Sequence, residues 1–286
     1  MDFEKKHQED LQRLRGFRLL DDDFMTKVFE DISCAELLLR IILNDEGIRV
    51  LEAHSQRGIK NLQGRSVKLD ILAVDSHNRV FNVEVQRSDR GAGAKRARYN
   101  SALIDANVTE PGDQYEDLNE TFVIFITEND VMKAGLPIYH IDRVVRETGK
   151  LFEDEEHIIY VNSQIKDETK LGRLMHDFSC TDAKDIYNKV LADRVRYFKE
   201  DERGVEIMCR EMEIMRNQAH EEGIEKGRIM QLIKQVCVKM QKFSSAEEVA
   251  IDLVEQDVPL IQKIMNVAPD FAPDYNVNDI YNALKL

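Results

Sequence analysis

Two short runs near the middle of the chain limit what it can become. Val67 to Asp75 and Val80 to Gln86 each alternate side chains with a period of two, and Ser76-His77-Asn78 between them is turn material. A period of two marks a strand, because successive side chains leave opposite faces. Two such runs joined by polar turn residues read as a β-hairpin. In the first run Val67, Leu69, Ile71 and Ala73 point one way and Lys68, Asp70, Leu72 and Val74 the other. In the second, Phe81, Val83 and Val85 oppose Asn82, Glu84 and Gln86. Each strand therefore plants one acid, Asp70 or Glu84, among apolar neighbours, where a carboxylate is unwelcome without a partner or a cation.

Register decides whether the two acids meet. They share a face only if directly paired residue numbers sum to an even value; a plain even-length loop would send them to opposite faces. An odd-length loop or a bulge near Ser76 to Arg79 is therefore expected. An acid in one strand alone is commonly an ordinary exposed residue, since one face of a sheet can be wet. The mid-strand pair, with Gln86 on the same face as Glu84, favours a site.

Such a pair suits one chemistry well. Hydrolysis of a phosphodiester needs a deprotonated water and an offset for phosphate charge, and a divalent cation supplies both. Magnesium takes hard oxygen ligands, commonly one or two carboxylates plus waters.

The flanking chain supplies cations. Arg87, Arg90, Lys95, Arg96 and Arg98 stand against a single acid, Asp89, and Gly91-Ala92-Gly93 permits close backbone approach before a helix over 92–107. Arg96 and Tyr99 lie about one helical turn apart. Arg87, Lys95, Arg96, Arg98 and Tyr99 are the candidate DNA-backbone contacts, positioning a duplex without reading sequence. The competing reading is a solvated helix face. Overall the chain carries a net charge of −14, which argues against a DNA-coating protein but says nothing against local patches.

Around the hairpin the elements alternate. Residues 1 to 20 read as a polar lead-in, 22 to 31 as a short helix, and Cys34 to Leu43 as a second helix opened by a Ser33-to-Glu36 capping box. Ile48 to Ser55 reads as a strand, Thr121 to Thr127 as a buried strand, and Leu136 to Ile141 and His157 to Val161 as shorter ones. This order predicts an α/β core with a mixed sheet. From about 182 the chain reads as helical. Val205, Met208, Met212, Met215 and Ala219 begin a heptad-like seam that weakens at Gly223 and Lys226 and resumes through Met230, Ile233, Cys237 and Met240. A helix packed on its own domain and a self-pairing helix stand level. A last helical patch spans Ser244 to Ala268, and its faint helix-turn-helix look is discounted for want of a basic cluster.

Apolar residues make up 43% of the 286, enough for a substantial core. No apolar run approaches a membrane span, and the charged start MDFEKKHQED is unlike a secretory leader, so a cytoplasmic location and no membrane partner are expected. Cys34, Cys180, Cys209 and Cys237 are scattered and read as reduced structural thiols.

The segments GRSVKLDILAVD (64–75), FNVEVQRSD (81–89) and KRARYNSALIDA (95–106) resemble the PD-(D/E)XK nuclease family transposases, also called recombination-promoting nucleases. So do LLDDDFMTKVFED (19–31), TFVIFITENDV (121–131), GLPIYHIDR (135–143) and GRLMHDFSCTD (172–182), and the likeness runs over roughly 19 to 210. The resemblance implies a restriction-endonuclease-like core, a mixed central sheet flanked by helices, followed by a C-terminal helical tail. It divides the chain into a lead-in (1–18), a nuclease-like domain (19–204) and a helical region (205–286).

It further implies that Asp70 and Glu84 ligate Mg2+ or another divalent cation, with the Val85 carbonyl as a third ligand. Gln86 would stand where the superfamily has lysine. Glutamine is usual in this branch; it brings no charge but can hydrogen-bond water or phosphate. Glu36, on the first core helix, is a further ligand candidate, level with its capping-box reading. The implied activity is a metal-dependent DNA endonuclease, with a homodimer through the helical region supplying two active sites. The alternative is a nuclease-fold module that binds DNA or a protein partner without cutting.

Overall fold

The computed structural model describes residues 3–61, 66–109 and 112–284. Three helices lead in: α1 (Phe3–Arg15), α2 (Asp22–Phe29) and α3 (Ile32–Leu43). Strands β1 (Val50–Ile59), β2 (Val67–Asp75) and β3 (Val80–Gln86) follow, then helix α4 (Ala94–Val108). Next come β4 (Thr121–Thr127), β5 (Ile138–Ile141), the small pair β6 (Val144–Val145) and β7 (Lys150–Leu151), and β8 (Glu156–Asn162). Helices α5 (Lys170–Ser179), α6 (Lys189–Glu200), α7 (Glu202–Lys239), α8 (Ala246–Leu253), α9 (Val258–Val267) and α10 (Val277–Leu284) complete the chain. It divides into two compact units, 1–209 and 210–286.

The first unit is a mixed α/β fold around a six-stranded sheet of order β1-β2-β3-β4-β8-β5. β2 runs antiparallel to both β1 and β3, whereas β3–β4 and β4–β8 are parallel. β4, the run TFVIFIT, is buried along its whole length, as expected of a strand covered on both faces. α4 lies on one face through Ala97, Leu103 and Ile104, which pack with Val123, Phe125 and Tyr160. Burying each such large side chain stabilises the unit by about 1.5–3 kcal/mol.

The hairpin has the register that brings its acids together. Val74 pairs Val80 and Ile71 pairs Val83, so residue numbers sum to an even value, and the same register continued one step past the last pair sets Asp70 opposite Glu84. The connection from the last pair is five residues, 75 to 79, an odd length. Buried Asp75 shapes it. Its carboxylate accepts the backbone N–H of His77 (3.0 Å) and Arg79 (2.9 Å) and the Arg79 Nε at 2.8 Å, while Asn78 takes the left-handed φ of 61° that asparagine tolerates.

Several expectations require correction. From Phe3 onward the polar lead-in is a helix, and Leu14, Leu19 and Leu20 are buried; a mostly polar stretch hides a few apolar anchors, which composition masks. Helix α3 begins earlier than Cys34. Its cap is Asp31, whose carboxylate accepts from Ser33 and Cys34 N–H, so Ser33 is already helical and no Ser33–Glu36 capping box forms. Helix α5, capped by the Thr169 hydroxyl, did not stand out as a helix in the sequence. The 244–268 patch is two helices, split where Val254 turns left-handed and Asp257 caps α9.

The seam of α7 also divides. Met208 is buried near its start, every residue from 217 to 228 is exposed, and Ile233 and Cys237 are buried near its end. In the second unit Ile229, Leu232, Ile233 and Val236 pack with Val249, Ile261, Ile264 and Ile280. No helix among the described residues is long and apolar enough to cross a membrane, and Cys34, Cys180, Cys209 and Cys237 are free thiols.

Candidate active site

Neither acid of the hairpin is an ordinary surface residue. Glu84 is fully buried and Asp70 is 7% exposed. Leaving two carboxylates there without compensation would cost several kcal/mol, and the neighbourhood is built to offset that cost. Glu84 Oε1 accepts the Asn82 amide at 3.0 Å and the backbone N–H of Asp70 at 3.3 Å. Glu84 Oε2 accepts Arg96 Nη2 at 2.6 Å, a short charge-assisted bond. Asp70 Oδ2 accepts the backbone N–H of Val85 at 3.1 Å.

Asn82 is held in turn. Its Nδ2 also reaches the Ile71 carbonyl at 3.3 Å, and its Oδ1 accepts from Asn100 of α4 at 3.3 Å. The polar chain Asn100–Asn82–Glu84–Arg96 thus runs from helix to sheet and back to helix.

Protonation reflects this crowding. Burial first, then the negative charges of Glu84 and Asp22, push the Asp70 carboxyl up to about 8, against the Val85 N–H and Arg96. Burial also raises the Glu84 carboxyl, while Asn82, Arg96 and the Asp70 N–H pull it back. Two like charges this close in a dry place oppose joint ionisation.

Gln86 ends β3 against the backbone of Gly91. A Cβ at that position would overlap Gln86 Oε1 and crowd its Cδ, so only glycine leaves the amide where it is. Arg96 Nη1 donates to the Gly91 carbonyl at 3.0 Å, and its guanidinium lies 6.0 Å from the Phe125 ring centroid.

The expected DNA contacts separate into three groups. Lys95 and Arg98 are exposed on α4. Tyr99 is half-buried, its hydroxyl accepting the Asn61 amide at 3.0 Å. Arg87 is already paired with Asp21 (3.0 Å) and Glu128 (3.2 Å), and Arg96 with Glu84, so neither stands as an idle surface cation. The side chains of Asp89 and Arg90 lie outside the described part.

Glu36 is engaged apart from the Asp70–Glu84 pair. Its Oε2 accepts the Val50 N–H at 3.0 Å and its Oε1 pairs with Arg40 at 2.7 Å. Val50 is opposite Asp75, five residues from Asp70, which is about 16 Å along a strand. Glu36 instead fastens α3 to the start of β1. The acid that does influence the pair is Asp22, at the start of α2. Lost hydration and then Asp23 raise its carboxyl, while Lys68 and Arg96 pull it down, and its charge is felt by both Asp70 and Glu84. In the sequence Asp21-Asp22-Asp23 is a run able to attract a cation, but it reads first as a cap for the helix that follows. Asn82 is on the Glu84 face by alternation, but nothing local marks it as a partner.

Among the described residues, no three or more His, Cys, Asp or Glu are grouped to hold a metal ion. Two carboxylates from adjacent strands are nonetheless a donor set that Mg2+ accepts, since it keeps several waters and adds substrate phosphate oxygens. The pair fits a hard divalent cation and does not fit a softer metal that asks for sulfur or imidazole. A cleft of about 530 Å3 lies elsewhere, at the turn end of the hairpin, lined by Asp45, His77, Arg79 and Glu120 among others.

Residues 36–179 match the family described as PD-(D/E)XK nuclease family transposase. No curated protein and no solved structure matches the chain.

Proposed function

This chain belongs to the PD-(D/E)XK nuclease family transposases, and from that premise we propose that it is a divalent-metal-dependent DNA endonuclease whose reaction centre is the Asp70–Glu84 pair. The observation that carries the reading is the position of these two buried carboxylates directly across β2 and β3 from one another. A bound divalent cation supplies a water of lowered pKa and an offset for phosphate charge.

This chain's residues do the rest. Asp70 and Glu84 hold the cation through hard oxygens. The Val85 carbonyl leaves β3 on the same edge as its N–H, which meets Asp70, and so is available as a third oxygen. Gln86, its amide fixed against Gly91, orients the attacking water or a phosphate oxygen. Asp22, rather than Glu36, is the acid supplied by the leading helices. The water gives its proton to solvent, its oxygen bonds to phosphorus, the bond to the leaving sugar oxygen breaks, and that oxygen takes a proton from solvent. Lys95, Arg98 and Tyr99 meet the DNA backbone. Mg2+ is the cation this donor set favours, and pairing of two chains through the helical C-terminal region would bring two such centres to one duplex.

Nicking and linearisation of supercoiled plasmid in Mg2+ test the reading. Wild type cuts; Asp70→Asn and Glu84→Gln, folded, lose at least about 100-fold, of the order expected when a group acting on the reacting atoms is removed. Equal cutting by all three, or DNA binding with no cutting in any divalent metal, would replace it with the binding-module reading.

A further inference from the structure

We infer that Arg96 is a resident counter-cation at Glu84, which an incoming divalent ion must displace before the centre can form; the inference rests on the metal-dependent reading of that site. Glu84 has two oxygens, and both are engaged. Oε1 holds the Asn82 amide and the Asp70 N–H, neutral donors that stay useful with a metal bound. Oε2 holds the Arg96 guanidinium at 2.6 Å. It is the oxygen left for a metal.

A guanidinium is charged at every accessible pH, so proton loss cannot remove it. A divalent ion beside Oε2 would stand next to that positive charge, where repulsion is strong in a dry setting. The two cations therefore compete. In exchange, Arg96 solves the problem of the metal-free protein, which otherwise keeps Glu84 fully buried with its charge unanswered.

The side chain has the means to leave. It is 39% exposed whereas Glu84 is 0% exposed, so its outward path leads to solvent while the carboxylate stays fixed. It stands in the first turn of α4, just after Gly93. Its resting pose depends on the Gly91 carbonyl and the Phe125 ring as well as on Glu84. Once outside, it lies on the same helix as Lys95 and Arg98.

Mn2+ affinity, read by electron paramagnetic resonance of the free ion at pH 8.0 without DNA, tests this. Arg96→Gln should bind Mn2+ about tenfold more tightly than wild type, with Arg96→Lys between them, because lysine keeps the charge but loses the bond to the Gly91 carbonyl. Glu84→Gln should lose the site. Equal or weaker Mn2+ binding by folded Arg96→Gln, with binding still lost in Glu84→Gln, overturns the counter-cation role and leaves the metal site standing. Absence of Mn2+ binding in wild type and Arg96→Gln alike overturns both. If Arg96→Gln does not fold, the guanidinium Nη2–H signal of Arg96, the group bonded to Glu84 Oε2, decides in nitrogen-15-labelled wild type. Loss of its protection from exchange on adding Mg2+ supports displacement, and an unchanged signal at saturating Mg2+ refutes it.

Discussion

Asp70 and Glu84 are joined through each other's strands: Glu84 Oε1 accepts the Asp70 backbone N–H at 3.3 Å, and Asp70 Oδ2 accepts the N–H of Val85, the residue after Glu84, at 3.1 Å. Each carboxylate thus fixes the other's backbone, and the two cannot separate without breaking the hairpin at that point. The geometry suits a cation and is costly to the protein that lacks one.

That cost gives a pH dependence. An unfolded Asp70 ionises at its ordinary value of 3.8, whereas in the folded protein it keeps its proton to about 8. Between these values the unfolded chain binds fewer protons than the folded one, so this group's contribution to stability falls as pH rises from about 4 to 8 and levels off above that. In EDTA at pH 8, Asp70→Asn should be more stable than wild type by at least ~1 kcal/mol, roughly what a tenfold change in proton affinity is worth. The gain should vanish near pH 4. Thermal melts across this range check it, and a wild-type Tm that rises with pH beside a flat Asp70→Asn profile would refute the assignment.

Asn82 is expected to be structural as well as supportive. Asn82→Leu removes a donor to buried Glu84 and strands the Asn100 amide, and should cost about 1–3 kcal/mol, the penalty for leaving a buried polar group unmatched. Chemical denaturation measures it. A loss confined to activity, with stability intact, would mean that Glu84 finds another donor.

Gly91→Ala separates placement from packing. The new methyl group overlaps the far end of a flexible side chain, Gln86, and makes only ordinary contact with Arg96 Nη1 at 3.5 Å, so the amide moves and Tm should change by only a few degrees. Plasmid cutting should nevertheless fall to the level of Gln86→Ala. Full activity in Gly91→Ala would show that the position of the Gln86 amide is immaterial.

The two leading-helix acids should behave oppositely. Glu36→Gln loses the pairing with Arg40 and weakens the hold on Val50, so it should lower Tm and leave the metal dependence of cutting unchanged. Asp22→Asn should raise the Mg2+ concentration needed for half-maximal cutting several-fold and leave Tm nearly unmoved. A Glu36→Gln enzyme with shifted metal dependence would restore Glu36 to the site.

Much of the site was legible because the hairpin writes its own rules. Alternation located β2 and β3 to the residue, and parity of the register then turned a question about two acids into one about loop length, answered by the five residues, 75 to 79, that Asp75 organises. What escaped was tertiary. Glu36 and Asp22 are both acids on leading helices, and only the packing of α2 and α3 against the sheet shows which one acts on Asp70. Arg96 looked like a phosphate contact because its helix is basic; that it turns inward to Glu84 depends on how α4 crosses β3. The α7 seam already weakened at Gly223 and Lys226 in the sequence, but that the whole stretch from 217 to 228 is exposed and parts the two buried ends was not legible there.

Diffraction from crystals soaked in Mn2+, recorded at the manganese absorption edge, tests the metal centre most directly. The expected result is an anomalous peak between the Asp70 and Glu84 carboxylates in wild type, absent from Glu84→Gln. A protein that cuts DNA in Mn2+ while its only anomalous peaks lie away from this pair would contradict the assignment.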